Sequence, residues 1–300
     1  MDKITAVMRL TRIEHSVMLM IAVAAAELMA GGIPAVPLFA LSLVTPALIS
    51  AGAFAINDYY DVESDRLNRR TDRPLVAGVL NRRQAKEIAV GCCAVGMAAA
   101  YFINSYVFAL ALVFAALAFL YSYRLKDIVL VGNAYIAFSM AVPFIFGDLV
   151  VSQGIPMSIV LISLVIFLSG LAREIHGMIR DHEGDVRARH TRNLVRYVGV
   201  KRSAQFALIL YVEAIAISIF LFFYQGLDAF NPFAFNLMYI VPMTLVNLAL
   251  FYVGVRVLYW PTKRFLKESR NISLAAMGLA LLTYLAAVVY PILVPWVYAL

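Results

Sequence analysis

Apolar residues in this chain come mostly in long unbroken runs. They do not alternate as in a half-buried strand or recur every third or fourth residue as in an amphipathic helix. Runs of about 20 residues are the length that crosses roughly 30 Å of hydrocarbon. Nine can be read: Ser16 to Ala35, Val36 to Ile56, Ala85 to Ile103, Tyr106 to Tyr123, Val129 to Val150, Met157 to Arg173, Ala204 to Tyr224, Phe233 to Val255, and Ile272 to Val294. The pattern predicts an all-α integral membrane protein of nine transmembrane helices. Short turns (GGIP near Gly31, Ile103-Asn104-Ser105, SQGIP near Gln153, LDAFNPF near Asn231) separate paired runs on one side, and none contains Lys or Arg. The first run lacks a small-residue cleavage site and is followed by more, so it reads as a retained helix. No soluble stretch separates from the rest, which predicts one membrane domain over residues 1–300.

Composition agrees: 63% hydrophobic against 14% charged residues, with a mean hydropathy of +0.84, is too little polar surface to coat a soluble globule. Charge then orients the helices. All 25 Lys and Arg fall before the first run or in the second set of connections, on one face of a nine-helix threading. The positive-inside rule makes that face cytoplasmic, amino terminus included, and sends Leu300 outside. The net charge of +7 is accounted for by topology and anionic lipid headgroups, so a lipid bilayer and no nucleic acid is the expected partner. The adjacent Cys92 and Cys93 lie inside the third run and cannot form an ordinary disulfide with each other. No pattern in the chain sets an oligomeric state.

The chemistry lies where the second run ends, in INDYYDVESDRLNRRTDRPLVAG. Asn57, Asp61 and Asp65 are spaced i, i+4, i+8, so a helix continuing out of the membrane projects all three from one face. Carboxylates one turn apart repel by about a few tenths of a kcal/mol unless a cation lies between them. Oxygen ligands in that arrangement suit magnesium. A second segment, AREIHGMIRDHEGDVRARH, follows the sixth run with Asp181 and Asp185 again at i, i+4 and Glu174 two turns before Asp181. The recurrence suggests two four-helix units plus a ninth helix. Solvated acidic loops are the competing account, and two in-phase segments at equivalent positions weigh against it.

At these residues the chain resembles the UbiA superfamily of intramembrane prenyltransferases, whose pattern is N-x-x-x-D-x-x-x-D after the second helix and D-x-x-x-D after the sixth. DRPL at Asp72 to Leu75 and YSYRLK at Tyr121 to Lys126 extend the likeness. REI at Arg173 to Ile175 followed by Asp181 to Asp185 is most similar to the archaeal branch that makes digeranylgeranylglyceryl phosphate. That branch usually has a further Asp where this chain has Met178 and no basic residue where it has Arg180. An expected TLP triplet is Asn193-Leu194-Val195 here.

The resemblance implies Mg2+-dependent transfer of a prenyl group, with geranylgeranyl diphosphate as donor and geranylgeranylglyceryl phosphate as acceptor. Asn57, Asp61, Asp65, Asp181 and Asp185 are the implied metal ligands, with Glu174 behind them. Lys126 and Arg73 are implied contacts of the diphosphate, and both are also ordinary topology determinants. Tyr121 and Tyr123 fit two roles, at the allylic cation or in the interfacial aromatic belt. Arg12 and His15, opening the first helix, are implied acceptor contacts, and capping or snorkelling accounts for them equally. His176 and His182 match no usual zinc spacing. Glu27 and Glu213 read as intramembrane carboxylates in helix packing. A hydroxybenzoate or naphthoate acceptor is the rival within the class, and an ion-coupled transporter the rival outside it. The expected location is the cell membrane, multi-pass, with the site facing the cytoplasm.

Overall fold

The computed structural model describes residues 2–152, 154–187, 194–225 and 231–293, the side chains of 183–187 and 291–293 excepted. These residues form ten α-helices and no strand: α1 Lys3–Thr11, α2 Ile13–Met29, α3 Val36–Leu67, α4 Arg82–Ile103, α5 Ser105–Tyr123, α6 Val131–Val151, α7 Met157–Arg187, α8 Leu194–Phe223, α9 Leu237–Tyr259 and α10 Lys263–Leu293. Each of the nine apolar runs falls on one of α2 to α10. Among the described residues, eight helices, α3 to α10, are long and apolar enough to cross a membrane, so the protein is multi-pass. The helices outrun the apolar text at their polar ends, because backbone hydrogen bonding continues where side-chain character changes. α3 thereby carries Asn57, Asp61 and Asp65, and α7 carries Glu174, Asp181 and Asp185, on continuous helix.

The chain divides into two compact units. Unit 1 comprises Met1–Glu27, Gly31–Lys126 and Phe146–Gln153. Its most extensive helix pair is α3 on α4, and small residues set their separation. A Cβ built on Gly52 would lie 2.5 Å from Cys93 Sγ and 2.8 Å from the Ala89 carbonyl oxygen. Gly96 is nearly as tight against Ile49 and the Thr45 carbonyl. In lipid, where no hydrophobic force drives helices together, this close approach is what van der Waals attachment requires. Gly52→Val is therefore expected to lower the midpoint of thermal unfolding in detergent, at about 1–3 kcal/mol for overpacking. An unchanged midpoint would show that α3 and α4 can separate freely there.

The α3 to α4 connection is pinned by its own apolar residues. Leu75 and Leu80 are buried with Ala6 and Leu10 of α1, Ala55, Ile56 and Val62 of α3, and Ala85 and Ala89 of α4. Asn81 then starts α4 with a reciprocal capping box to Gln84. α1 was not foreseen from the hydropathy runs, since nine amphipathic residues make no membrane span. It begins at an Asp2 cap on the Thr5 amide (2.7 Å) and ends at Arg12, whose φ of 48° breaks it from α2.

Unit 2 comprises Leu28–Ala30, Asp127–Ile145 and Gly154–Leu300. Here α7 packs most extensively on α8, α10 lies on α9 and also on α7, and α8 touches α9. Two buried hydrogen bonds, Tyr239 Oη to the Ser218 carbonyl (2.8 Å) and Asn236 to the Ala287 carbonyl (3.0 Å), and a partly buried one, Asn247 to Ser218 Oγ (2.8 Å), fasten these apolar helices. In both units the helix bearing an acidic segment packs chiefly on its successor. One expectation is corrected. Glu27 is fully buried, but Glu213 is exposed on the surface of α8, where helix packing leaves it free to reach the surroundings.

Candidate active site

The first acidic segment occupies the last turns of α3, and its register sorts the carboxylates onto two faces. Asn57, Asp61 and Asp65 share one face, as the spacing predicts. Asn57 Nδ2 donates to Asp61 Oδ2 at 2.9 Å, and Lys126, in the short 3-10 turn Leu125–Asp127, places its ammonium on Asp61 Oδ1. Arg73, held by the pinned connection after α3, has its Nε 3.8 Å from Asp65 Oδ2.

Arg73 is anchored from behind by a residue the spacing argument passed over. Asp58 is 2% exposed and accepts from Arg73 Nη1 at 2.7 Å and Arg12 Nη2 at 3.4 Å, while its other oxygen is buried without a hydrogen-bond partner. A buried carboxylate is costly unless paired, and here two guanidiniums pair it. Burial, and secondly the nearby Arg73, push the Arg12 pKa below its ordinary value, against the pull of Asp58. Arg12 also lies 4.4 Å over the Phe54 ring, whose edge meets His15 at 5.1 Å. A signal for Asp58 does exist in the sequence: it stands in the same helical stripe as Ala55 and Val62, where a charge is unusual.

The two tyrosines separate. Tyr121 is half-buried, whereas Tyr123 is 62% exposed with its ring 6.0 Å from Tyr60.

In unit 2 the second segment borders a cavity of about 410 Å³. Glu174 and Asp181, two turns apart on α7, both line it, as their spacing predicts, together with Met178 between them. Glu174 pairs with Arg173 at 3.1 Å, and Arg180 holds both oxygens of Asp181 at 2.8 and 2.7 Å. His176 also lines the cavity, 4% exposed, its ring 5.4 Å from Tyr211. From the far wall come Asn133 of α6 and Arg270 of α10. Neither stood out in the sequence, because Arg270 was one basic residue among many. Asp185 and Asn193 lie outside the described side chains.

Among the described residues no three His, Cys, Asp or Glu side chains come together closely enough to hold a metal ion by themselves. The donor chemistry of the α3 face nevertheless fits magnesium. Its ligands are hard oxygens in one register, and cationic side chains already lie on two of them, Lys126 on Asp61 and Arg73 near Asp65.

Comparison with known proteins identifies the family. The model of the UbiA prenyltransferase family matches residues 18–264. The chain is similar to the digeranylgeranylglyceryl phosphate synthase of Archaeoglobus fulgidus, 36% identical over 246 residues, 82% of each chain. Among solved structures, one of a digeranylgeranylglyceryl phosphate synthase in membranes aligns with a TM-score of 0.80 at 23% identity, covering 97% of this chain and 100% of the other. A UbiA homolog from Archaeoglobus fulgidus bound to GPP and Mg2+ aligns with a TM-score of 0.63 at 18% identity, covering 93% and 99%.

Proposed function

Because the chain belongs to the UbiA prenyltransferase family, we propose that it moves a geranylgeranyl group from its diphosphate to the free hydroxyl of geranylgeranylglyceryl phosphate. The observation that carries this reading is the α3 face, where Asn57, Asp61 and Asp65 stand at the end of a membrane helix with Lys126 and Arg73 on their carboxylates.

In this reaction the allylic C–O bond breaks, the diphosphate leaves with the electron pair, and the acceptor oxygen forms the ether while its proton is released. Asn57, Asp61 and Asp65 on α3, and Asp181 and Asp185 on α7, would hold magnesium. Bound there, the metal supplies Lewis-acid neutralisation of the leaving diphosphate. Lys126 and Arg73 bind the remaining phosphate oxygens, and Asp58 keeps the Arg73 guanidinium aimed. Tyr121 and Tyr123 stand at the allylic carbons, Arg12 and His15 beside the acceptor, and Glu174 behind the second segment.

We further infer nine crossings, with α2 as the first. Its 17 residues span about 26 Å, and all 25 Lys and Arg then share the cytoplasmic side with the amino terminus. The whole chain then acts as one domain in the cell membrane.

The test is transfer of label from radiolabelled geranylgeranyl diphosphate in magnesium to a panel of acceptors. Label is expected on geranylgeranylglyceryl phosphate at least about tenfold faster than on hydroxybenzoate or a naphthoate, the discrimination a polar substrate group provides. Faster prenylation of an aromatic acceptor would move the enzyme to quinone synthesis, and no transfer to any acceptor would remove the reading.

A further inference from the structure

The cavity of unit 2 carries more positive than negative charge. Arg173, Arg180 and Arg270 line it with Glu174 and Asp181, three guanidiniums against two carboxylates, a net of +1 for these side chains. Two of the guanidiniums are engaged by the carboxylate next to them in sequence. Arg270, on α10, makes no salt bridge within 4 Å among the described residues and attracts the Glu174 carboxylate only at longer range. Beside these cations lies His176, buried to 4% exposure with neither ring nitrogen hydrogen-bonded. A buried imidazole left so is costly, and the usual explanation is a group that completes it from the cavity. The volume of about 410 Å³ is many times the roughly 30 Å³ share of a water molecule, room for a tetrahedral oxyanion and the carbons attached to it. Guanidinium forks match the oxygens of a phosphate, and a neutral imidazole adds one N–H donor.

We propose that this cavity binds the phosphomonoester of the lipid acceptor, with Arg270 as its principal contact, Arg173 and Arg180 supporting, and the His176 ring donating to a phosphate oxygen. The assignment takes from the proposed function only the identity of the lipid. Met178 matters to it because an apolar side chain at that point of the lining preserves the positive surplus, which a carboxylate there would cancel.

The experiment is equilibrium binding to the purified full-length protein in nanodiscs, without donor and without magnesium. The probes are radiolabelled geranylgeranylglyceryl phosphate and the same lipid lacking its phosphate. Wild type is expected to bind the phosphorylated lipid at least about tenfold more tightly. Arg270→Gln, which removes a cation, and Met178→Asp, which adds an anion without removing a contact, should each erase most of that preference and leave the dephosphorylated lipid unaffected. Arg270→Lys should restore part of it. A second arm measures a non-reacting thiodiphosphate analogue of the donor in magnesium, whose affinity should be unchanged by Arg270→Gln. Equal wild-type affinity for the two acceptor lipids overturns the proposal. So does an Arg270→Gln effect confined to the thiodiphosphate, which would give the cavity to the donor. Phosphate-dependent binding that persists where no acceptor is prenylated would remove the proposed function and leave this assignment standing.

Discussion

Asp61→Ala is expected to slow prenyl transfer a hundredfold to a thousandfold, about the loss seen when one preorganised charge-stabilising group is removed from a site. Asp61 is the point where the α3 face converges, with Asn57 on one oxygen and Lys126 on the other. Removing the carboxylate takes away a proposed magnesium ligand and the anchor that holds the Lys126 ammonium. Asp61→Asn separates the two roles, since the amide oxygen still accepts from Lys126 while the charge is lost. Its transfer rate should fall nearly as far as that of the alanine variant, with half-maximal activity shifted to higher magnesium concentration. Glu63→Ala is the control on the same helix. Among the described residues its exposed carboxylate pairs with Arg66 and Arg82 at 3.3 and 3.5 Å, so activity should stay within about twofold. An Asp61→Ala enzyme working at the wild-type rate would end the metal-assisted reading of α3.

Asp58→Ala should act first on stability. It leaves the Arg12 and Arg73 guanidiniums, 24% and 20% exposed, without the buried carboxylate that pairs both, and Arg73 keeps only the longer 3.8 Å approach to Asp65. Breaking a buried pair by deleting one partner costs about 3–5 kcal/mol, so the thermal midpoint in detergent should drop more than for any single arginine variant. Combining Asp58→Ala with Arg73→Ala tests the pairing. If the two side chains act as one unit, the double variant should be no less stable than Asp58→Ala alone, because the stranded cation is gone. Strictly additive losses would mean that Asp58 stabilises through something other than Arg73. Transfer by Asp58→Asn, which keeps the shape, should still fall, as Arg73 loses the charge that aims it.

The contrast between Asp58 and Asp61 shows what could be read without coordinates. The length of apolar runs alone located α2 to α10, since lipid imposes one spacing requirement on every crossing. The i, i+4, i+8 phase placed Asn57, Asp61 and Asp65 together for the same geometric reason. Asp58 escaped because its role depends on Arg12, 46 residues away, and on a connection held down by Leu75 and Leu80. No local period encodes such a meeting. Arg270 escaped for a different reason: topology already explained every basic residue, so nothing in the text marked one of them as facing a cavity. α1 was invisible because its burial comes from three side chains, Ala6, Leu10 and Thr11, and not from a run.

α3 is continuous for 32 residues, about 48 Å, and exceeds the roughly 30 Å hydrocarbon layer by several turns. Its acidic face is thus the rigid end of a rod whose middle is immersed in lipid, interrupted only by Pro46 well away from the carboxylates. The height of that face above the membrane is set by acyl-chain length. A thicker bilayer draws the rod inward or makes it stand more upright, and a thinner one makes it lean, with each ångström of mismatch costing a fraction of a kcal/mol. An enzyme whose substrates are themselves membrane lipids is in this way graded by the thickness of the layer they form.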